Sequence, residues 1–271
     1  MVSIQYGATY AKHLFPLIGA EGVTALRLGL ASLILLPILR PWRARLSRST
    51  LPALLGYGAS LGCMNLLFYL ALARLPLGIA VALEFTGPLA LAIAHSGRWT
   101  HLLWTGLAVA GLLFLLPLGH LERGLDPLGI VFALGAGVGW AIYATLGKKA
   151  GSDHGSATTA FGTAIGAVIV APIGLAHAGA ALFTLPVLRL AVMVAVFSSA
   201  LPFSLEMVAL TKLPTRVYGT LTSVEPALGA LAGFVFLHEK LSPIQMAAVA
   251  AIMCASVGTA MTMQPVPAPA N

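Results

Sequence analysis

Apolar stretches of about 18 to 22 residues recur along the whole chain, divided by short segments rich in Pro, Gly or charge. Each is long enough to cross a bilayer core of about 30 Å at about 1.5 Å per residue. The pattern predicts ten helices, over 1–12, 20–38, 51–72, 77–95, 102–118, 127–146, 157–176, 186–210, 215–237 and 243–262. The loops between them read RPWRARLSRST, HSGRWTH, GHLERGLD and GKKAGSDHG, and the tail QPVPAPAN (264–271) is too proline-rich for a helix and is expected to be disordered.

The chain also repeats itself. ARLPLGIAVALEFTGPLALA (73–92) lies over TKLPTRVYGTLTSVEPALGA (211–230) at an offset of 138 residues, so that Pro88 matches Pro226. The helix ending at Pro37 lies over the one ending at Pro172 at an offset of 135. Five helices per half is an odd number, so two such halves sit in opposite orientations. The expected division is a first half over 1–122, a second over 123–263, and the tail. Inverted repeats of this kind build secondary transporters, with the substrate near midplane between the halves. Carried back, the repeat sets Met1 on Ala136, inside helix 6. Helix 1 is therefore expected to lack its beginning, since twelve residues rise only about 18 Å.

Composition narrows the class. Hydrophobic residues make up 59% and charged residues 8%, against about a quarter charged in soluble domains. The mean hydropathy is +0.95. The net charge of +7 comes from short loops, with no basic run interleaved with aromatics, so a nucleic-acid partner is not expected; the expected surroundings are a lipid bilayer. Arg40, Arg43, Arg45, Arg48, Arg98, Lys148, Lys149, Lys212 and Arg216 fall on one side, against Lys12, Arg74, Arg123, Arg189 and Lys240 on the other. The richer side is read as cytoplasmic, which puts the C-terminus inside. Cys63 and Cys254 lie in apolar spans and are expected to pack as small hydrophobes.

VTALRLGLASLILLP, PLGIAVALEFTGPLA, ALGAGVGWAIYATLG, ALPFSLEMVALTKLPTR and YGTLTSVEPALGALAGFVFLHEKLSPIQ together resemble the EamA-type drug/metabolite transporter superfamily, over Val2 to about Met263. The resemblance implies an all-α membrane protein of ten transmembrane helices in two inverted repeats, with helix 1 truncated here. It also implies an inner-membrane exporter of small amino acids of the threonine/homoserine type, driven by the proton gradient. Another small metabolite or drug is the alternative substrate. Small amino acids and protons are then the partners, no cofactor is called for, and a homodimer is left open.

Carboxylates in a bilayer interior cost free energy and mark functional positions. Glu84 is the leading candidate for binding substrate or a proton. Pro88 has no N–H for the carbonyl of Glu84 itself, so one position offers a carboxylate and a freed acceptor. Thr86 adds a hydroxyl nearby. Glu225, before Pro226, falls on Gly87 in the repeat, one turn from Glu84. Two nearby carboxylates favour keeping a proton on one of them. Glu206 sits about one turn from the end of its helix and could reach the interface as a structural or gate residue, with binding of substrate or a proton as the competing role. The substrate carboxylate needs a cation, and Arg27 is the deepest one, with an ion pair to a membrane glutamate as the competing role. Asn65, Trp140 and Tyr143 are further candidates for the cavity wall, the aromatics competing with a lipid-interface belt. Lys12 reads as an interface anchor.

Other patterns fail on context. GAGVG (135–139) has no strand before it, and its small residues fit close helix contact, as do Gly162/Gly166 and Gly229/Gly233. His238-Glu239 lacks the second histidine of a zinc-protease helix, since Ser242 stands there. No Ser–His–Asp set or metal-ligand spacing is visible, so an enzyme is not expected.

Overall fold

The computed structural model describes residues 1–44, 50–94, 100–115, 125–213, 218 and 221–262. Every regular element among them is helical. We label them α1 (Val2–Leu39), α2 (Leu51–Leu72), α3 (Leu77–Ala94), α4 (Thr100–Leu115), α5 (Pro127–His154), α6 (Ala157–Ala178), α7 (Leu185–Ala195), α8 (Leu201–Lys212), α9 (Glu225–Leu237) and α10 (Pro243–Thr262). Six described stretches are long and apolar enough to cross a membrane: Val2–Leu39, Leu51–Leu72, Pro127–Ser152, Ala157–Phe183, Leu185–Lys212 and Pro243–Thr262. Leu77–Leu91 and Glu225–Leu237 are shorter apolar helices. The tail from 264 on and the loop arginines Arg45, Arg48, Arg98, Arg123 and Arg216 lie outside the described residues.

The first predicted boundary changes. Helix continues past residue 12 to a break at Gly19, whose φ of 67° and ψ of 171° are open to glycine but not to residues with a Cβ. Ser198 touches both Gly7 and Arg27, and Tyr69 touches both Phe15 and Arg27. Residues 7 and 27 would stand about 30 Å apart on a straight helix, so α1 is a V with its point at Gly19.

Close contacts fix the directions of the other helices. Tyr57 meets Gly162 and Gly62 meets Gly166, so α2 and α6 run parallel. Leu75 meets Gly129 and Met64 meets Gly139, so α2 and α5 are antiparallel. Gly78 with Ala230 and Leu77 with Gly233 make α3 and α9 antiparallel. The bend of α1, the end of α2, the starts of α3 and α5, and the ends of α6 and α9 therefore share one face of the bundle, here called the bend face. Glycines at these crossings let backbones touch, as the GAGVG stretch suggested: a methyl group on Gly137 would fall on the Glu84 carbonyl oxygen. Packing of this kind replaces the hydrophobic effect, which has no purchase between helices in lipid.

α7, a five-residue π turn (Val196–Ala200) and α8 form one continuous rod over the predicted 186–210 helix. Three further expectations are revised. The predicted 215–237 helix is interrupted by a turn at Ser223–Val224, and α9 starts at Glu225 with Pro226 in its first turn, where a missing N–H costs nothing. α3 instead runs unbroken through Pro88, so the two prolines are not one repeated device. Cys63 and Cys254 are free thiols on exposed helix faces rather than buried packing residues.

Candidate substrate site

Arg27 is 3% exposed, inside the bundle. Its Nη1 donates to the Ser198 carbonyl at 3.0 Å and to the Ser198 hydroxyl at 2.7 Å. Its Nη2 donates to Asn65 Oδ1. Asn65 is turned this way because its amide nitrogen bonds the Leu61 carbonyl, at 2.7 Å, one turn back on α2. The Tyr69 ring, one turn further along α2, lies 4.4 Å from the guanidinium, and its hydroxyl is 3.2 Å from Ser198 Oγ. Cation–π contact of this sort strengthens out of water. Among the described residues the ion pairs join Lys12 to Glu239, Arg74 to Asp126 and His177 to Glu21. The expected alternative for Arg27, an ion pair with a membrane glutamate, is therefore not what holds it. Its Nε has no hydrogen-bond partner among the described residues.

The Ser198 carbonyl is available for a reason written in the sequence. Pro202 has no N–H to return to the carbonyl four residues back. The rod widens into the π turn, with Leu201 N bonded to Val196 O. The carbonyls of Phe197 and Ser198 then turn outward, to Ser3 Oγ and to Arg27. π turns are often found at functional sites.

The acids gather on the other side. Glu206 accepts from the Tyr218 hydroxyl at 2.8 Å and the Tyr143 hydroxyl at 3.3 Å. It is held in the interior and does not snorkel to the interface. Trp140 stands beside both Glu206 and Tyr218 and meets the Phe85 ring edge-on at 5.6 Å. Tyr143 stacks on Tyr57 at 4.8 Å. Both Trp140 and Tyr143 are buried, not in a lipid-facing belt. Glu225 is 7% exposed, at the start of α9. Glu84 is half-buried, and Glu225, Arg27 and Glu206 lie within its electrostatic reach.

Two details of the Glu84 reading change. Its carbonyl, freed by Pro88, is pressed onto the α5 backbone at Gly137 and is closed to a ligand. Only the carboxylate remains as a binding group. The Thr86 hydroxyl donates to the Leu83 carbonyl at 2.6 Å, which leaves only its acceptor capacity for a ligand. Sequence reasoning missed Ser198, Tyr69, Tyr218 and Tyr57. Applying the proline rule to Pro202 finds Ser198, and the four-residue spacing from Asn65 finds Tyr69. No local signal brings Tyr218 to Glu206.

The described residues form an all-helical membrane bundle in which Arg27 is a buried cation on neutral partners and Glu84, Glu206 and Glu225 are interior carboxylates. The chain belongs to the EamA-like transporter family, whose model matches residues 127–261. It is a transporter, not an enzyme. It is 55% identical over 264 residues to the threonine/homoserine exporter RhtA of Escherichia coli (strain K12), covering 97% of this chain and 90% of that one. The threonine/homoserine exporter RhtA of Salmonella typhimurium (strain LT2) is 54% identical over the same shares. A solved crystal structure shares the fold, with a TM-score of 0.66 at 16% identity over 99% of this chain and 96% of the other.

Proposed function

We propose that this chain exports threonine, homoserine and similar small amino acids by proton antiport from the bacterial inner membrane, with its C-terminus in the cytoplasm. The observation that carries the reading is a guanidinium with no carboxylate ion-pair partner among the described residues, within electrostatic reach of Glu84, which in turn has Glu206 and Glu225 within its own reach, in a chain 55% identical to a named exporter. A zwitterionic amino acid complements that arrangement. Its carboxylate goes to Arg27, whose fork suits a planar anion, and its ammonium goes to the glutamates. A buried charge without a counter-ion is costly, and the substrate carboxylate is a suitable counter-ion for Arg27.

The same arrangement accounts for coupling. Ammonium and proton compete for the carboxylates around Glu84. A proton arriving from outside displaces the substrate, and losing it to the cytoplasm permits loading. Two inverted halves, 1–122 and 123–263, rocking about the site give the alternating access this exchange needs. One copy of the chain holds every group the cycle uses.

Glu84→Gln is expected to abolish proton-driven export of threonine in membrane vesicles at unchanged protein level. Normal gradient-dependent transport by that variant would remove Glu84 from the mechanism. Expression in an exporter-deficient host, scored by resistance to added threonine or homoserine, tests the substrate. Protection only against unrelated compounds would favour another metabolite or drug.

A further inference from the structure

We infer that Lys12 and Glu239 form the gate that closes the transport path on the bend face. Glu239 follows His238, which ends α9 in the left-handed conformation at φ 54°. The Glu239 amide bonds back to the Gly233 carbonyl at 3.0 Å, which folds its side chain over α9 instead of into solvent. One carboxylate oxygen accepts from Lys12 Nζ at 2.5 Å, and the other accepts from the Leu77 amide at 2.7 Å. That amide belongs to the first turn of α3, where helix N–H groups lack internal partners and favour an anion. Lys12 also reaches the Leu75 carbonyl at 3.3 Å. One side chain thus ties the first arm of α1, the α2–α3 turn and the segment after α9.

The position of this tie is what makes it a gate. It pins together the ends of α3 and α9, the two helices that carry Glu84 and Glu225. Directly below it the backbones of Gly78 and Ala230 touch, and Val81 packs on Gly229. Val81, 2% exposed, stands one turn below Leu77 and one turn before Glu84. Of the three described ion pairs, this one is the most occluded, at 20% and 16% side-chain exposure, against 41% and 35% for Arg74–Asp126 and 52% and 23% for His177–Glu21. Water screens it least, so it holds best of the three. Opening the path on this face requires the α9–α10 segment to leave α3, and the Lys12–Glu239 pair is the contact that must break.

The inference uses the alternating-access part of the proposed function but not the substrate, and its test needs no substrate. Val81→Cys is introduced into a full-length chain with Cys63→Ser and Cys254→Ser, and a membrane-impermeant maleimide is applied from each side of membrane vesicles. With the gate intact, labelling from the bend face is slow. Glu239→Gln removes the charge and is expected to raise that rate about tenfold, because labelling follows the open fraction. Lys12→Gln is expected to do the same, which covers the case in which Glu239→Gln alone fails to accumulate. Lys12→Glu with Glu239→Lys restores the pair and is expected to return slow labelling. An unchanged rate in a neutralised variant present at normal level would overturn the gate, as would a charge swap that labels as fast as the single variants. Labelling that follows these expectations while threonine is not exported would retain the gate and reject the substrate.

Discussion

Two prolines in this bundle each strip a hydrogen bond from the carbonyl four residues earlier, and the two carbonyls meet different fates. Pro88 frees that of Glu84, which is pressed against the Gly137 backbone. Pro202 frees that of Ser198, which accepts from Arg27. Inside a membrane a freed carbonyl has no water to turn to, so the protein itself must satisfy it. At Glu84 the Gly137 backbone covers the carbonyl and offers only a weak Cα–H contact, which leaves the carboxylate as the only group open to a ligand. At Ser198 a cation satisfies the carbonyl, and the break becomes the seat of a charge. A proline in a transmembrane helix thus marks a backbone that needs a partner, not the kind of partner it finds.

The comparison can be broken at several points. The largest effect is expected at the cation. Arg27→Lys keeps the charge but loses the fork that reaches Ser198 and Asn65 together, and is expected to cut export about 100-fold, or about 3 kcal/mol, measured as efflux rate per copy in vesicles. Export by the lysine variant at the native rate would mean that the bidentate geometry is unimportant. Next come the prolines themselves. Pro202→Ala restores an N–H that competes with Arg27 for the Ser198 carbonyl, and about a tenfold loss is expected, one bond to a charged group being worth roughly 1.5–3 kcal/mol. Pro88→Ala, whose carbonyl is already covered, is expected to stay within about twofold of the native rate. Equal losses from the two substitutions would erase the distinction.

The smallest effect lies at the bend face, away from either proline. Arg74 donates to Asp126 at 2.9 Å, and the Leu128 amide donates to the same side chain. The Arg74 hydrogen bond first, then that amide, holds the Asp126 carboxyl below the usual carboxylate range. A lowered folded-state pKa stabilises at pH above the ordinary carboxylate range and ceases to do so as pH falls through the lowered value. Asp126→Asn is therefore expected to melt about 1 °C below the native protein at neutral pH, the pair being exposed, with the gap closing in acid. A gap that widens in acid would reverse the sign.

Much of the bundle is legible in the sequence. Apolar runs of bilayer length located most helices, because in lipid every backbone group must be satisfied within its own segment. The GAGVG stretch was readable as a contact surface, because small residues are what lets helices approach. At the site, Glu84, Glu206, Glu225 and Arg27 stood out simply because charge is expensive in such runs. Their partners did not. Tyr218 and Tyr143 meet on Glu206 from separate helices, and Lys12 reaches Glu239 from 227 positions away. The V of α1 was equally hidden, since helix continues on both sides of Gly19 and only contact with Ser198 from both arms reveals the fold-back.

The sequence by itself determined the solvent of this protein, the rough positions of its helices and the list of charges too costly to be accidental. All three follow from local cost per residue, which hydropathy and backbone valence express without knowledge of neighbours. The tertiary structure alone decided which carbonyl a cation would claim, which carboxylate would stay open and which would become a clasp between helix ends. Those outcomes depend on distances between residues remote in the chain, and helix packing sets such distances.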